Sequence, residues 1–182
     1  MEALSKASET TGRVYFTGGV SAVLLGWRST TVDVDLKLVP DSDDLLRAIP
    51  VLKEKLSINI ELASPDQFIP ELPGWRERSV FIDQIRRLSF LHYDFYSQAL
   101  SKLERAHVKD LLDAQEMLRR RLIERGELLR LFSVIEPDLY RYPALDPHSF
   151  RDAVEELSPH RLHSPLQEGR PPGVEDFQAY LS

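Results

Sequence analysis

Along the first third of the chain, hydrophobic and polar positions keep switching between a period of two and a period of three to four. Val14-Tyr15-Phe16-Thr17 is a short β-prone run stopped by Gly18-Gly19, and Val20 to Trp27 supplies an apolar stretch of helix length ending near Gly26. Val32 to Leu38 alternates apolar with charged residues. That is the signature of a strand with one buried face, and it puts Asp33, Asp35 and Lys37 together on the other. Pro40 ends the strand. Asp41 to Asp44 reads as the acidic first turn of a helix carrying Leu45, Leu46, Ile49, Leu52 and Leu56, which Pro50 is expected to kink or divide. Ile58-Asn59-Ile60-Glu61-Leu62 is a second alternating strand, with Asn59 and Glu61 sharing one face.

Pro65, Pro70, Pro73 and Gly74 make 64–78 an ordered loop, and 79–85 with 88–93 are expected to form a hairpin. After Asp94 the pattern turns helical: Leu100, Leu103, His107, Leu111, Ala114 and Leu118 recur at helical steps. Further helices are expected over 127–135 and 147–157, the latter begun by Asp146-Pro147. From Ser158 on, Pro159, Pro165, Pro171, Pro172 and Gly173 leave little that could pack. The expected class is α+β: a mixed sheet with flanking helices over 1–93, a helical subdomain over 94–157 and a Pro-rich tail over 158–182. No internal repeat is visible.

Composition narrows the chemistry. The 182 residues include 23 Lys plus Arg, 29 Asp plus Glu and no cysteine, for a net charge of −6. Disulfide frameworks, thiolate zinc sites and cysteine nucleophiles are excluded together. The acidic balance argues against broad capture of nucleic acid and leaves room for a local basic face. No apolar run is long enough for a bilayer and the start lacks the apolar core of a signal peptide, so a soluble, cytoplasmic protein without a membrane partner is expected.

Asp33 and Asp35, two apart on one strand, project from the same face with origins roughly 7 Å apart. Such a pair on a rigid strand suits hard Mg²⁺ or Mn²⁺, which keep waters or phosphate oxygens as further ligands. A solvated strand face is the plainer alternative. Upstream, Gly18-Gly19 closes one strand and opens a helix, where backbone can approach a phosphate closely, although such a pair taken alone is more often a plain turn. Arg28, Ser29, Thr30 and Thr31 add a fixed positive charge and hydroxyl donors at the same edge.

As a set, Gly18-Gly19, Gly26-x-Arg28-x-Thr30-Thr31 and Val32-Asp33-Val34-Asp35-Leu36 resemble the signature of the nucleotidyltransferase superfamily that includes DNA polymerase beta. The nearest resemblance is to small stand-alone members related to AbiEii-type abortive-infection toxins, a branch largely of unknown function. It covers at least Val14 to Leu62 and extends to 61–65, 73–78 and 140–143. The resemblance implies that a nucleoside monophosphate moves from ATP or another NTP to a hydroxyl on an RNA end such as tRNA, a protein or a small molecule. It also implies a possible cognate antitoxin or toxin partner. Asp33 and Asp35 would be the metal and catalytic residues, and Glu61 the third carboxylate, where Asp is commoner. Gly18, Gly19, Ser21, Arg28 and Thr31 would cradle the nucleotide. Gly19 stands where many members have Ser, and Ser21 is the nearest hydroxyl. Lys102 and Asp110, in Ala99-Leu100-Ser101-Lys102 and Lys109-Asp110-Leu111-Leu112-Asp113, are similar to pocket-lining segments of toxin-like relatives. On one straight helix they would lie about 12 Å apart along the axis and about 80° apart around it, so joint action requires a bend near Ala106-His107. Surface pairing is the alternative for both. A catalytically inactive, partner-binding or antitoxin-like protein on the same fold is the rival from another class.

Other groups weigh less. His160 and His163 lie in the Pro-rich tail without a carboxylate partner, and His92 and His107 read as partly buried structural residues. The 41–44 acidic run lacks the glycine and terminal Glu of a calcium loop. Arg119-Arg120-Arg121 with Arg125 is a helix-end cluster that an RNA acceptor would suit, and Trp27, Trp75, Tyr140 and Tyr142 are stacking or packing candidates.

Overall fold

The alternating segments meet in one sheet. In a computed structural model that describes residues 1–157, β1 (Gly12–Phe16), β2 (Asp33–Val39), β3 (Asn59–Leu62), β4 (Val80–Ile85) and β5 (Leu88–His92) are arranged β3-β2-β1-β5-β4. The tail with His160 and His163 lies outside the described residues. β2 runs antiparallel to β1 and parallel to β3, β1 runs parallel to β5, and β4 and β5 form the expected antiparallel hairpin. The fold is α+β with a mixed sheet flanked by helices and a mostly helical C-terminal half. Since β2 has a neighbour on each side, its charged face does not belong to an edge strand.

One face of the sheet presents Val14, Phe16, Leu36, Leu38, Ile60, Leu88 and Phe90 to Leu4 of α1 (Glu2–Ala7), Val20 of α2 (Gly18–Leu24) and Leu45, Ile49 and Leu52 of α3 (Asp43–Leu56). Each such side chain contributes about 1.5–3 kcal/mol on burial, which makes the period-two register of these strands hard to shift. α3 passes through Pro50 without dividing. Both Pro50 and Leu46, whose carbonyl loses its helical donor there, lie on the solvent side of α3, where water can take over that bond.

On the opposite face Trp75 stacks on Tyr93 with ring centroids 4.3 Å apart, and Tyr15 meets Trp75 edge-on at 4.9 Å. Burying Trp75 orders the Pro-rich connection, which is therefore more than a loop: it contains a 3-10 turn (Pro65–Gln67) and α4 (Trp75–Arg78). Arg78 grips Asp94 through Nε and Nη2 at 3.1 and 2.9 Å, and Asp94 also caps α5 (Phe95–Arg105) by accepting from the Tyr96 and Ser97 amides.

The helical pattern after Asp94 is two helices. α5 stops at Ala106, held left-handed at φ +53°, and α6 (Val108–Arg119) starts afresh at His107. His107 is consequently exposed, not partly buried. α7 (Arg125–Ile135) and α8 (Pro147–Glu156) complete this half around Leu100, Leu103, Met117, Leu128, Phe132 and Phe150. Asp146 caps α8 by accepting from the His148 and Ser149 amides at 2.9 and 3.2 Å. Among the described residues no helix is long and apolar enough to cross a membrane.

Candidate functional site

Strand register builds an acidic face. Asp33 sits across from Asn59 and Asp35 across from Glu61 on the parallel pair β2 and β3. The Asn59 amide nitrogen donates to Asp33 Oδ1 and to Glu61 Oε1, both at 2.7 Å, and thereby holds two carboxylates on one neutral group. No hydrogen-bond donor among the described residues serves the Asp35 carboxylate. Its carboxyl is raised above its ordinary value, first by burial and then by Asp33 and Glu61, against the opposing pull of Arg105 and Lys102.

Gly18 makes room for that carboxylate. Its φ is +59°, and a Cβ there would lie 2.5 Å from Asp35 Oδ2. Gly18→Ala is thus expected to strain the backbone and displace Asp35, lowering stability by more than about 1 kcal/mol. Denaturant unfolding and Mg²⁺ titration measure the two effects separately.

Three features of the structure bear on the phosphate-gripping role expected of the turn. The Gly18 N–H already donates to Gln98 Oε1 at 3.1 Å, and Gln98 is fixed in turn by donating to the Tyr93 carbonyl at 2.7 Å. Gly19 is buried, and the space its side chain would need is filled by Thr31, whose Oγ1 lies 2.2 Å from the position of a Cβ and donates to the Asp33 carbonyl at 3.0 Å. Ser21 is fully buried: the helical twist turns its hydroxyl inward, 3.3 Å from the Phe16 carbonyl and 2.9 Å from His92 Nδ1. Burial pushes the His92 imidazole down to about 4, so it is neutral near pH 7. The Gly-Gly turn therefore shapes the cavity, and the Gly18 N–H is committed to Gln98.

Facing the acids is a cationic wall. The break at Ala106 folds α6 back so that Lys102 Nζ lies 3.0 Å from Asp110 Oδ1 and 2.7 Å from Asp113 Oδ2, the approach that a straight helix forbids. Arg105 reaches Asp110 at 3.1 Å. Arg28 grips Asp113 through Nε and Nη2 at 3.0 and 2.7 Å, and Trp27 Nε1 donates to the same carboxylate at 3.1 Å. Arg28, Lys102 and Arg105 against Asp110 and Asp113 leave one positive charge in excess. Lys109 is exposed beside them.

Two cavities open between these walls. One, about 210 Å³, has Asp33, Asp35 and Glu61 on one side and Lys102, Arg105 and Phe68 on the others. The second, about 370 Å³, shares Gly18, Asp33, Asp35, Lys102 and Arg105 and adds Arg28, Thr31 and Lys109. Of the sequence-derived residues, Asp33, Asp35, Glu61, Gly18, Gly19, Arg28, Thr31, Lys102 and Asp110 line one or both cavities, and Ser21 lines neither. The basic cluster is largely engaged, since Arg119 and Arg120 hold Glu116 and Arg125 donates to the Leu157 carbonyl. Trp75 is core, Tyr142 donates to the Asp66 carbonyl, and Tyr140 is exposed away from both cavities. Gln98 and Phe68, which sequence reasoning passes over, complete the site.

No three His, Cys, Asp or Glu groups among the described residues form a metal-holding cluster. Asp33 and Asp35 nevertheless fit a hard divalent cation of the Mg²⁺ or Mn²⁺ kind, which binds through one or two carboxylates and takes its other oxygens from water and phosphate. The unpaired, half-buried Asp35 carboxylate is the group that such a cation would neutralise. No family model, curated protein or solved structure matches the chain.

Proposed function

We propose that this protein is a divalent-metal-dependent nucleotidyltransferase that moves a nucleoside monophosphate from an NTP to a hydroxyl acceptor. The observation that carries the reading is the opposition, across one cavity, of Asp33, Asp35 and Glu61 to Lys102 and Arg105. Asp33 and Asp35 would hold the cation, whose chemistry when bound is to neutralise charge on phosphate oxygens. Lys102 and Arg105, with Arg28 and Lys109 in the adjoining cavity, face the negative charge of the triphosphate. Glu61, fixed by Asn59, orients the acceptor hydroxyl or takes its proton. The acceptor oxygen forms its bond to the α-phosphorus as the bond to the α,β-bridging oxygen breaks, and pyrophosphate leaves.

The test is incubation of the protein with each α-labelled NTP and Mg²⁺ in cell extract. Label should enter RNA or protein with wild type and not with Asp33→Ala/Asp35→Ala. Equal labelling by both, or none from folded wild type, rejects the activity. A toxin-like role predicts growth arrest on expression that Asp33→Ala relieves. The second reading, an inactive partner-binding protein, is favoured by one feature: an apolar groove of about 230 Å³ lined by Leu4, Leu24, Val34, Leu56 and Ile58.

A further inference from the structure

Among the described residues Phe68 is the one aromatic ring on the wall of the 210 Å³ cavity, among carboxylates and cations, and it is 39% exposed. Its backbone, in contrast, is held firmly. The Phe68 and Ile69 amides both donate to the Pro65 carbonyl at 3.0 Å, Ile69 is buried, and the Tyr142 hydroxyl donates to the Asp66 carbonyl at 3.2 Å. The Asp66 carboxylate is paired with Lys37 and approached by the Tyr93 hydroxyl. An apolar ring fixed in water on a rigid turn, at the mouth of a polar cavity, is a preformed contact surface and not a loose loop tip. The Arg105 guanidinium already lies over this ring, 5.6 Å from its centroid.

We infer that Phe68, layered with Arg105, is the stacking platform for the base of the bound nucleotide. It holds purines and pyrimidines by their π faces, purines more tightly, and does not read base edges. The inference rests on the nucleotidyltransferase reading and adds to it the substrate class: any of the common NTPs. The neighbours of the ring on the cavity wall support the lack of edge discrimination. Ala63 and Pro65 have no side-chain hydrogen-bonding group. Arg105 also joins the platform to the phosphate side, because it lines both cavities.

Isothermal titration of MgATP, MgGTP, MgCTP, MgUTP and magnesium tripolyphosphate against wild type, Phe68→Ala and Phe68→Leu tests this. Wild type should bind the four nucleotides within about tenfold of one another. Phe68→Ala should weaken MgATP and MgGTP about tenfold or more, the magnitude of one base on one aromatic ring, and the pyrimidines less, with tripolyphosphate unchanged. Phe68→Leu, which keeps apolar bulk without a π face, should follow Phe68→Ala. Equal weakening of tripolyphosphate, no weakening of any nucleotide, or a hundredfold preference of wild type for one base overturns the platform and leaves the nucleotidyltransferase reading standing. Wild type that binds neither tripolyphosphate nor any nucleotide overturns both.

Discussion

Asp35→Asn is expected to reduce nucleotidyl transfer by about a thousandfold or more and, in metal-free buffer at pH 7, to make the protein more stable. The two effects have one cause. Asp35 lies directly across β2 and β3 from Glu61 and shares its own strand face with Asp33, yet no donor among the described residues serves its carboxylate. Burial and the two neighbouring carboxylates raise its pKa above 3.8. A carboxyl whose folded-state value is raised prefers to be protonated in the fold, so its ionised form opposes folding. That penalty is absent below pH 3.8, grows as pH rises from there toward the raised value, and is complete above it. The isosteric amide removes the charge and keeps the shape. A gain on the order of 1 kcal/mol corresponds to about 2–4 °C in a chain of this size. The advantage of Asp35→Asn should shrink as the pH is lowered and vanish below the ordinary carboxylate range. Mg²⁺ should stabilise wild type and not the variant. Thermal melts over a pH series with and without Mg²⁺ decide the matter: a variant less stable than wild type in metal-free buffer at pH 7 would make Asp35 a structural residue and remove the metal site.

The parts of this site that were legible in the sequence are those set by local period. Alternation over Val32 to Leu38 puts Asp33 and Asp35 on one face wherever the strand lies, and the same rule pairs Asn59 with Glu61 on the next strand. That β2 and β3 then align Asp35 with Glu61 depends on how far α3 carries the chain before it returns, which neither strand encodes alone. The break after α5 shows the opposite situation. The spacing of Lys102 and Asp110 required a bend for both to reach one place, but Ala106-His107 contains neither Gly nor Pro to announce one. The left-handed residue there is held by the ion pairs that it permits, and such pairs are tertiary. Gln98 had no local signal either, since it caps the Gly18 amide from 80 residues away. Ser21 is close to the glycine turn in sequence, but the helix of Gly18–Leu24 turns that position toward His92. Local period finds the acids and does not find their supports.

Asp113→Ala should be the most damaging single substitution to the fold near this site, lowering stability by about 3–5 kcal/mol, on the order of 10 °C in melting temperature. Asp113 is 2% exposed and accepts four hydrogen bonds from three side chains: Trp27 Nε1, Arg28 Nε and Nη2, and Lys102 Nζ. Those donors come from the turn after α2 and from α5, so one carboxylate ties both to α6. Its removal leaves Lys102, itself 3% exposed, with Asp110 as its remaining carboxylate, and orphans the Trp27 indole N–H. A buried charge stripped of a partner is worse than no charge at all. Lys102→Met/Asp113→Leu should therefore recover much of the stability that Asp113→Ala loses, because both ends of the buried pair become apolar and Arg28, only partly buried, can turn to water. The double variant should still fail to bind MgATP, since the ammonium facing Asp33 and Asp35 is gone. Urea unfolding of wild type, Lys102→Met, Asp113→Leu and Lys102→Met/Asp113→Leu gives the coupling energy directly. A loss under about 1 kcal/mol for Asp113→Ala would place the network in the class of surface ion pairs, with its cations too loosely held to meet a triphosphate in a fixed geometry.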